Sequence, residues 1–432
     1  MSFRRSPSAS LGALSIGLAL FIFLTFFVLP PALATTYQNL DITAAPVLEP
    51  EAPVQAVAEH VPTPTQVKGV YMSQCVASTP SIRERLVRLV RETDLNTIVV
   101  DIKDFTGYIS FSTENSLLAD SVSRECRVSD MHDFIKALHA EDIYIVGRIT
   151  VFQDPRYTKL YPEQSVQSVS RPGEPWKDHK GLSFISPLAK PYWEYVIELS
   201  RVSYEEMGFD EINYDYIRWP SDGDMKDVAY PPDQDRAEAI EHFWQYLAKE
   251  TPKGAVISAD LFGYAAVFTD DLGIGQQLER ALPYFDYIMP MVYPSHYNKG
   301  FAGIIDVNSN PYKVVYVSMV EAVRRTTAAT TTVPGLTHAP IMAPVTIPAR
   351  EGVATSTGQK FTGVYQKDSY QASKMRPWLQ DFNYPVPYTP EMVAAQIKAT
   401  EDAGLDSWIF WDASNKYTSL RKVLTNTSTS LE

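Results

Sequence analysis

From Lys68 onward, short apolar, β-branched runs alternate with stretches in which apolar residues recur at helical spacing. The runs lie at 69–73, 97–101, 143–150, 211–216, 256–261, 287–292, 377–382 and 407–411. Helical spacing predicts helices over 81–92, 129–140, 191–207, 234–250, 274–282, 312–325 and 390–403. Pro390 stands at a first-turn position behind Thr389, a side chain suited to cap the helix. Strands that are almost continuously apolar, each followed by a helix, imply a parallel sheet covered on its outer face. Eight such units predict a (β/α)8 TIM barrel over residues 67–425. A doubly wound sheet is the alternative, but no G-x-G-x-x-G follows the first strand. Residues 326–374 break the rhythm, being rich in Thr, Ala, Pro and Gly. They read as a surface insertion, with at most a small β element, on the face opposite the strand C-termini.

The first 66 residues carry no such alternation. Arg4 and Arg5 precede an uncharged stretch from Leu11 to Leu29, and then come two prolines and Ala32-Leu33-Ala34. A basic start, an apolar core and an A-x-A site describe a signal peptide over residues 1–34. The same stretch is near the minimum length of about 17–20 residues for a spanning helix, so it also fits an uncleaved membrane anchor. Both readings place the rest of the chain outside the cytoplasm, secreted or anchored. Residues 35–66, with five prolines, read as a disordered linker. Of the two cysteines, Cys75 and Cys126, export permits a disulfide, but the count favours a buried free pair.

Composition narrows the chemistry. With 51 acidic residues against 38 basic ones, the chain has a net charge of −13 and no basic run, which argues against nucleic acid as a partner. Seven histidines without an H-E-x-x-H or Cys/His cluster disfavour a zinc hydrolase, and no calcium loop is present, so neither metal nor cofactor is expected. Aromatic residues make up 12 % of the chain, including 25 Tyr and 7 Trp. Their flat faces can stack on sugar rings or can simply fill a large core.

In barrels of this kind, chemistry sits where the strands end. Those ends carry Asp101, Arg148, Asp215, Arg218, Asp260, Tyr293, His296, Trp378, Asp381, Trp411 and Asp412. An ionised Asp among apolar neighbours is costly unless it is paired or used. Lys103, Arg148, Arg218 and Arg376 are available to pair with these acids as structural bridges. Acids beside Trp and Tyr are also what glycoside hydrolysis needs, with one acid protonating the leaving oxygen and one carboxylate attacking or activating water. His296 reads either as a donor to a sugar hydroxyl or as a hydrogen-bonded loop residue.

The motifs DYIRWP (ending the segment 209–220), the segment 258–263, MVYPSHY (within 290–297), RPWLQDF (376–382) and the segment 408–415 occur in this order. Together they resemble a bacterial glycoside-hydrolase-like domain family, formerly a domain of unknown function, distantly similar to α-amylase-like TIM barrels. The resemblance covers Lys68 to about Leu424. It implies a nucleophile at Asp215 and an acid/base at Asp260. Two positions depart from the α-amylase-like pattern: Asn213 stands where an Arg precedes the nucleophile by two residues, and Asp260 stands where the acid is usually Glu. The expectation is an exported barrel that hydrolyses a polysaccharide, with the remaining strand-end residues binding substrate. A non-catalytic carbohydrate-binding barrel and a wall-associated scaffold are its rivals.

Overall fold

The computed structural model describes residues 58–347 and 356–429. The proposed signal or anchor segment and most of the linker lie outside them. Among the described residues, no helix is long and apolar enough to cross a membrane. The linker expected to reach Gln66 gives way by Ala58 to chain bonded onto the body of the protein. Val61 N–H donates to Asp210 Oδ1 at 2.8 Å, and the His60 ring stacks on Tyr204 at 4.0 Å.

The strands in chain order are β1 (Lys68–Met72), β2 (Thr97–Lys103), β3 (Tyr144–Thr150), β4 (Glu211–Asp215), β5 (Val256–Phe262), β6 (Tyr287–Met291), β7 (Thr330–Thr331), β8 (Ala339–Ile347), β9 (Ser356–Gln366), β10 (Trp378–Gln380) and β11 (Trp408–Trp411). Strands β1–β6, β10 and β11 form a closed barrel of eight parallel strands, sealed by β1 against β11. The helices that follow the barrel strands are α1 (Pro80–Arg91), α2 (Met131–His139), α3 (Lys190–Arg201), α4 (Arg236–Glu250), α5 (Leu278–Ala281), α6 (Pro311–Thr327), α7 (Pro390–Asp402) and α8 (Thr418–Thr429). The chain is therefore a (β/α)8 TIM barrel. Prolines open α1, α6 and α7, where a missing N–H costs nothing, and Thr389 caps α7 through Met392 N–H.

Two strand and helix expectations shrink. The fifth helix is a single turn, and the seventh barrel strand contracts to three residues, starting only after Pro377, which has no N–H to give to the ladder. The insertion is a three-stranded antiparallel sheet in the order β7-β9-β8.

Apolar side chains form two bodies. One lies between the strands and the helix ring. The other fills the barrel interior with Val67, Tyr71, Val99, Tyr144, Val146, Met289, Tyr293, Trp378 and Ile409. Near the N-terminal ends of the strands, Arg376 meets both oxygens of the fully buried Glu211 at 3.0 and 2.9 Å, and Tyr144 donates to the same carboxylate. At Gly147 the outward face has no room for a side chain. An added Cβ would lie 2.3 Å from Ile102 and 2.8 Å from Phe209. That close packing fixes β3 and the inward-facing residue beside it, Arg148.

Cys75 and Cys126 are joined in a disulfide, contrary to the free pair favoured by their number. The chain brings them together across 51 residues, a proximity that two isolated cysteines do not advertise. Closing a loop of that length restricts the unfolded chain, so Cys126→Ser with Cys75→Ser is expected to cost about 2–4 kcal/mol. A urea midpoint equal to that of the oxidised wild type, at unchanged m-value, would contradict this.

Candidate active site

The strand C-termini converge on one guanidinium. Register places Asp101 on β2, Arg148 on β3, Asn213 on β4 and Ser258 on β5 side by side, as successive pairs around the barrel. Arg148 Nη1 donates to Asp101 Oδ1 at 2.7 Å, and Nη2 donates to Asp215 Oδ2. Its Nε lies 3.6 Å from Asp260 Oδ2. The guanidinium is buried and also lies over the Trp411 ring at 5.0 Å. Three carboxylates thus face one cation, and at full ionisation the cluster would carry two uncompensated negative charges in a site nearly closed to water.

Such an excess favours the protonated form of the acids. Burial pushes Asp260 well above the ordinary carboxylate range, and the Asp215 charge pushes it further. Its Oδ1 accepts from Trp378 Nε1 at 2.7 Å and from Asn213 Nδ2 at 2.9 Å. An indole N–H can only donate, so Oδ1 is an acceptor and the proton belongs on Oδ2, the oxygen turned toward Arg148. Asp101 is raised to about 6, chiefly by burial, against the pull of Arg148 and of the Tyr71 hydroxyl that donates to it at 2.5 Å. Arg148 is held above its usual value because the pull of Asp215 and Asp101 outweighs its burial.

Asp215 has its second oxygen fixed by the N–H of Tyr216 at 2.6 Å. Tyr216 takes φ 53°, a left-handed conformation that costs a non-glycine residue energy. The chain thus turns sharply right after β4, at the residue whose N–H meets the carboxylate.

Of the residues singled out in the sequence, Asp101, Arg148, Asp215, Asp260, Trp378 and Trp411 share this cluster. Tyr293 lies close enough that burial, Asp260 and Asp215 raise its phenol. Trp378 is 1 % exposed, so it offers no stacking face and instead holds Asp260. Trp411 is half-buried and stacks on Tyr71 at 3.8 Å. Exposed His296 sits edge-on to Tyr293 at 5.4 Å. Asp412 holds the loop after β11, and Asp381 holds the first turn of α8. Asp412 accepts from the N–H groups of Ser414, Lys416 and Tyr417, and Asp381 accepts from Leu420 N–H. Lys103 and Arg376 pair with Asp154 and Glu211, away from the cluster.

Tyr71 and the amide of Asn213 are contacts that a search for carboxylates passes over. Arg148, the register partner of Asn213 on β3, provides the guanidinium of this layer.

A model of the family described as "Putative glycosyl hydrolase domain" matches residues 69–340 and 353–417, more than half of the chain. Among solved structures, the glycoside hydrolase domain of PgaB (BpsB) from Bordetella bronchiseptica aligns with a TM-score of 0.52 at 12 % identity. That alignment covers 84 % of this chain and 99 % of the other, a likeness of fold. A hypothetical protein from Ruminiclostridium thermocellum is 30 % identical over 44 % of this chain and 96 % of its own, with a TM-score of 0.40. The spore cortex-lytic enzyme SleL from Bacillus cereus is 11 % identical over 85 % of this chain and 74 % of its own, with a TM-score of 0.41. No curated protein matches the chain.

Proposed function

Because the chain belongs to the "Putative glycosyl hydrolase domain" family, we propose that its barrel cleaves a glycosidic bond in a polysaccharide outside the cytoplasm, using Asp215 as nucleophile and Asp260 as acid/base. The observation that carries this reading is the unequal treatment of the two acids. Asp215 is clasped by Arg148 and the Tyr216 N–H, whereas Asp260 is pushed toward its protonated form. An ionised carboxylate beside a protonated one is the pairing that glycoside hydrolysis uses.

Asp260 Oδ2 would pass its proton to the glycosidic oxygen as that bond breaks, and Asp215 would bond to the anomeric carbon. Water, deprotonated by Asp260, would then release the sugar and restore both groups. Neighbouring strands lie about 4.8 Å apart, and both acids reach the same guanidinium, which supports the carboxyl spacing of about 5–5.5 Å used by retaining enzymes. Retention of anomeric configuration is therefore part of the proposal. The disulfide and the basic-apolar N-terminal segment support export.

The test is a polysaccharide screen with the chain from Ala56, with products resolved by size and their anomers by NMR. Binding without products would assign a carbohydrate-binding barrel instead. Inverted products would remove the nucleophile role of Asp215 alone.

The pH profile gives a sharper prediction. Activity needs Asp260 protonated, so it should fall as pH rises through the raised Asp260 pKa. Trp378 N–H favours the ionised form of Asp260. Trp378→Phe should therefore move the alkaline limb of kcat/KM upward by about one unit. A downward shift, or none, would show that another group sets that limb.

A further inference from the structure

Of the five buried arginines among the described residues, four lie within ion-pair distance of a carboxylate: Arg148 with Asp101, Arg280 with Glu241, Arg325 with Glu279 and Arg376 with Glu211. Arg218 does not. It is 3 % exposed, three residues beyond Asp215, and its guanidinium lies over the rings of Phe262 at 4.5 Å and Tyr216 at 4.7 Å. Its Nη1 donates to the Trp219 carbonyl at 3.0 Å. Nε of Arg148, Arg280 and Arg376 is sealed from solvent without a hydrogen bond, but no guanidinium nitrogen of Arg218 is. Nε and Nη2 of Arg218, which make no hydrogen bond, therefore keep some contact with solvent. Asp215 and exposed Asp222 are both near enough to feel this charge, but neither makes an ion pair with it.

Burying a cation without an anion is expensive. Here it is done beside the acid cluster, with the guanidinium set against the rings of Tyr216 and Phe262. A planar fork of that kind matches a carboxylate or another oxyanion in a bidentate fashion. Resting on the reading of this mouth as a glycan site, we propose that Arg218 anchors an anionic substituent of the sugar bound next to Asp215, so that the substrate is an acidic polysaccharide. The substituent's shared chemistry is an oxyanion, a carboxylate or a sulfate ester.

Matched pairs test this with the full chain: polygalacturonate against its carboxyl-reduced form, and dextran sulfate against dextran. Binding is followed by calorimetry. The protein is strongly acidic overall, so long-range charge opposes a polyanion and any preference must come from a local site. Wild type should favour the anionic member of at least one pair by about tenfold or more, and the pair that responds names the oxyanion. Arg218→Met should remove the preference, and Arg218→Lys, which keeps the charge without the fork, should retain part of it. No preference in either pair for wild type overturns the proposal, as does a preference that survives in a folded Arg218→Met protein. Hydrolysis confined to neutral glycans would defeat this inference and leave the hydrolase reading standing. Anion-selective binding without hydrolysis would do the reverse.

Discussion

Asp215→Asn should lower turnover by roughly 10⁴-fold or more, the scale on which an enzyme feels the loss of one member of its catalytic set. Glycan binding should barely change. The amide keeps the shape of the carboxylate, and the Tyr216 N–H can still donate to its oxygen. What disappears is the proposed nucleophile and the charge that complements Arg148. The charge that helps keep Asp260 protonated goes as well, so any residual activity should show an alkaline limb at lower pH. Full turnover in the variant, measured on any polysaccharide that wild type cleaves, would end the assignment of Asp215.

The second large effect concerns stability. Arg148→Met removes the cation shared by Asp101, Asp215 and Asp260 and leaves buried carboxylates without a counter-ion. Breaking a buried pair from one side costs about 3–5 kcal/mol. The penalty should depend on pH with a definite sign. Asp101 is raised to about 6 in the folded protein. The folded chain thus binds this proton more tightly than the unfolded chain. Its contribution to stability is fully present below the unfolded value and is lost as pH rises through about 6. Arg148 opposes that rise, so its removal pushes Asp101 and Asp260 higher still. The gap between wild type and Arg148→Met in urea should therefore be small near pH 5 and wide near pH 8. A gap independent of pH would mean that Arg148 acts through packing alone.

Much of this architecture is readable along the chain because periodicity is a local property. Eight apolar runs, the prolines at helix starts and Thr389 before α7 each declare their element within a few residues. The acids at the strand ends are readable for the same reason. Their division of labour is not. Asp381 resembles Asp260 in sequence, an acid after apolar neighbours, yet its carboxylate meets Leu420 N–H, 39 positions along the chain. Tyr71 looks like any core aromatic until its hydroxyl is seen on Asp101. Trp378 is a donor to Asp260 where a stacking platform was expected, because burial depends on the whole ring of strands. The end of the linker was missed because His60 and Val61 find their partners, Tyr204 and Asp210, about 150 residues away in sequence.

The placement of Arg148 decides what the neighbouring strand can carry at the same height. Positions 148 and 213 are register partners, so a guanidinium can enter the cluster from either strand at the same height. With the cation on β3, position 213 is free to carry an amide, and that amide donates to Asp260. One layer therefore holds both the cation beside Asp215 and an amide donor on the neighbouring acid. The charge at this mouth is a property of the ring of side chains at one height, closed by strands that stand far apart in sequence, and not of any single segment of chain.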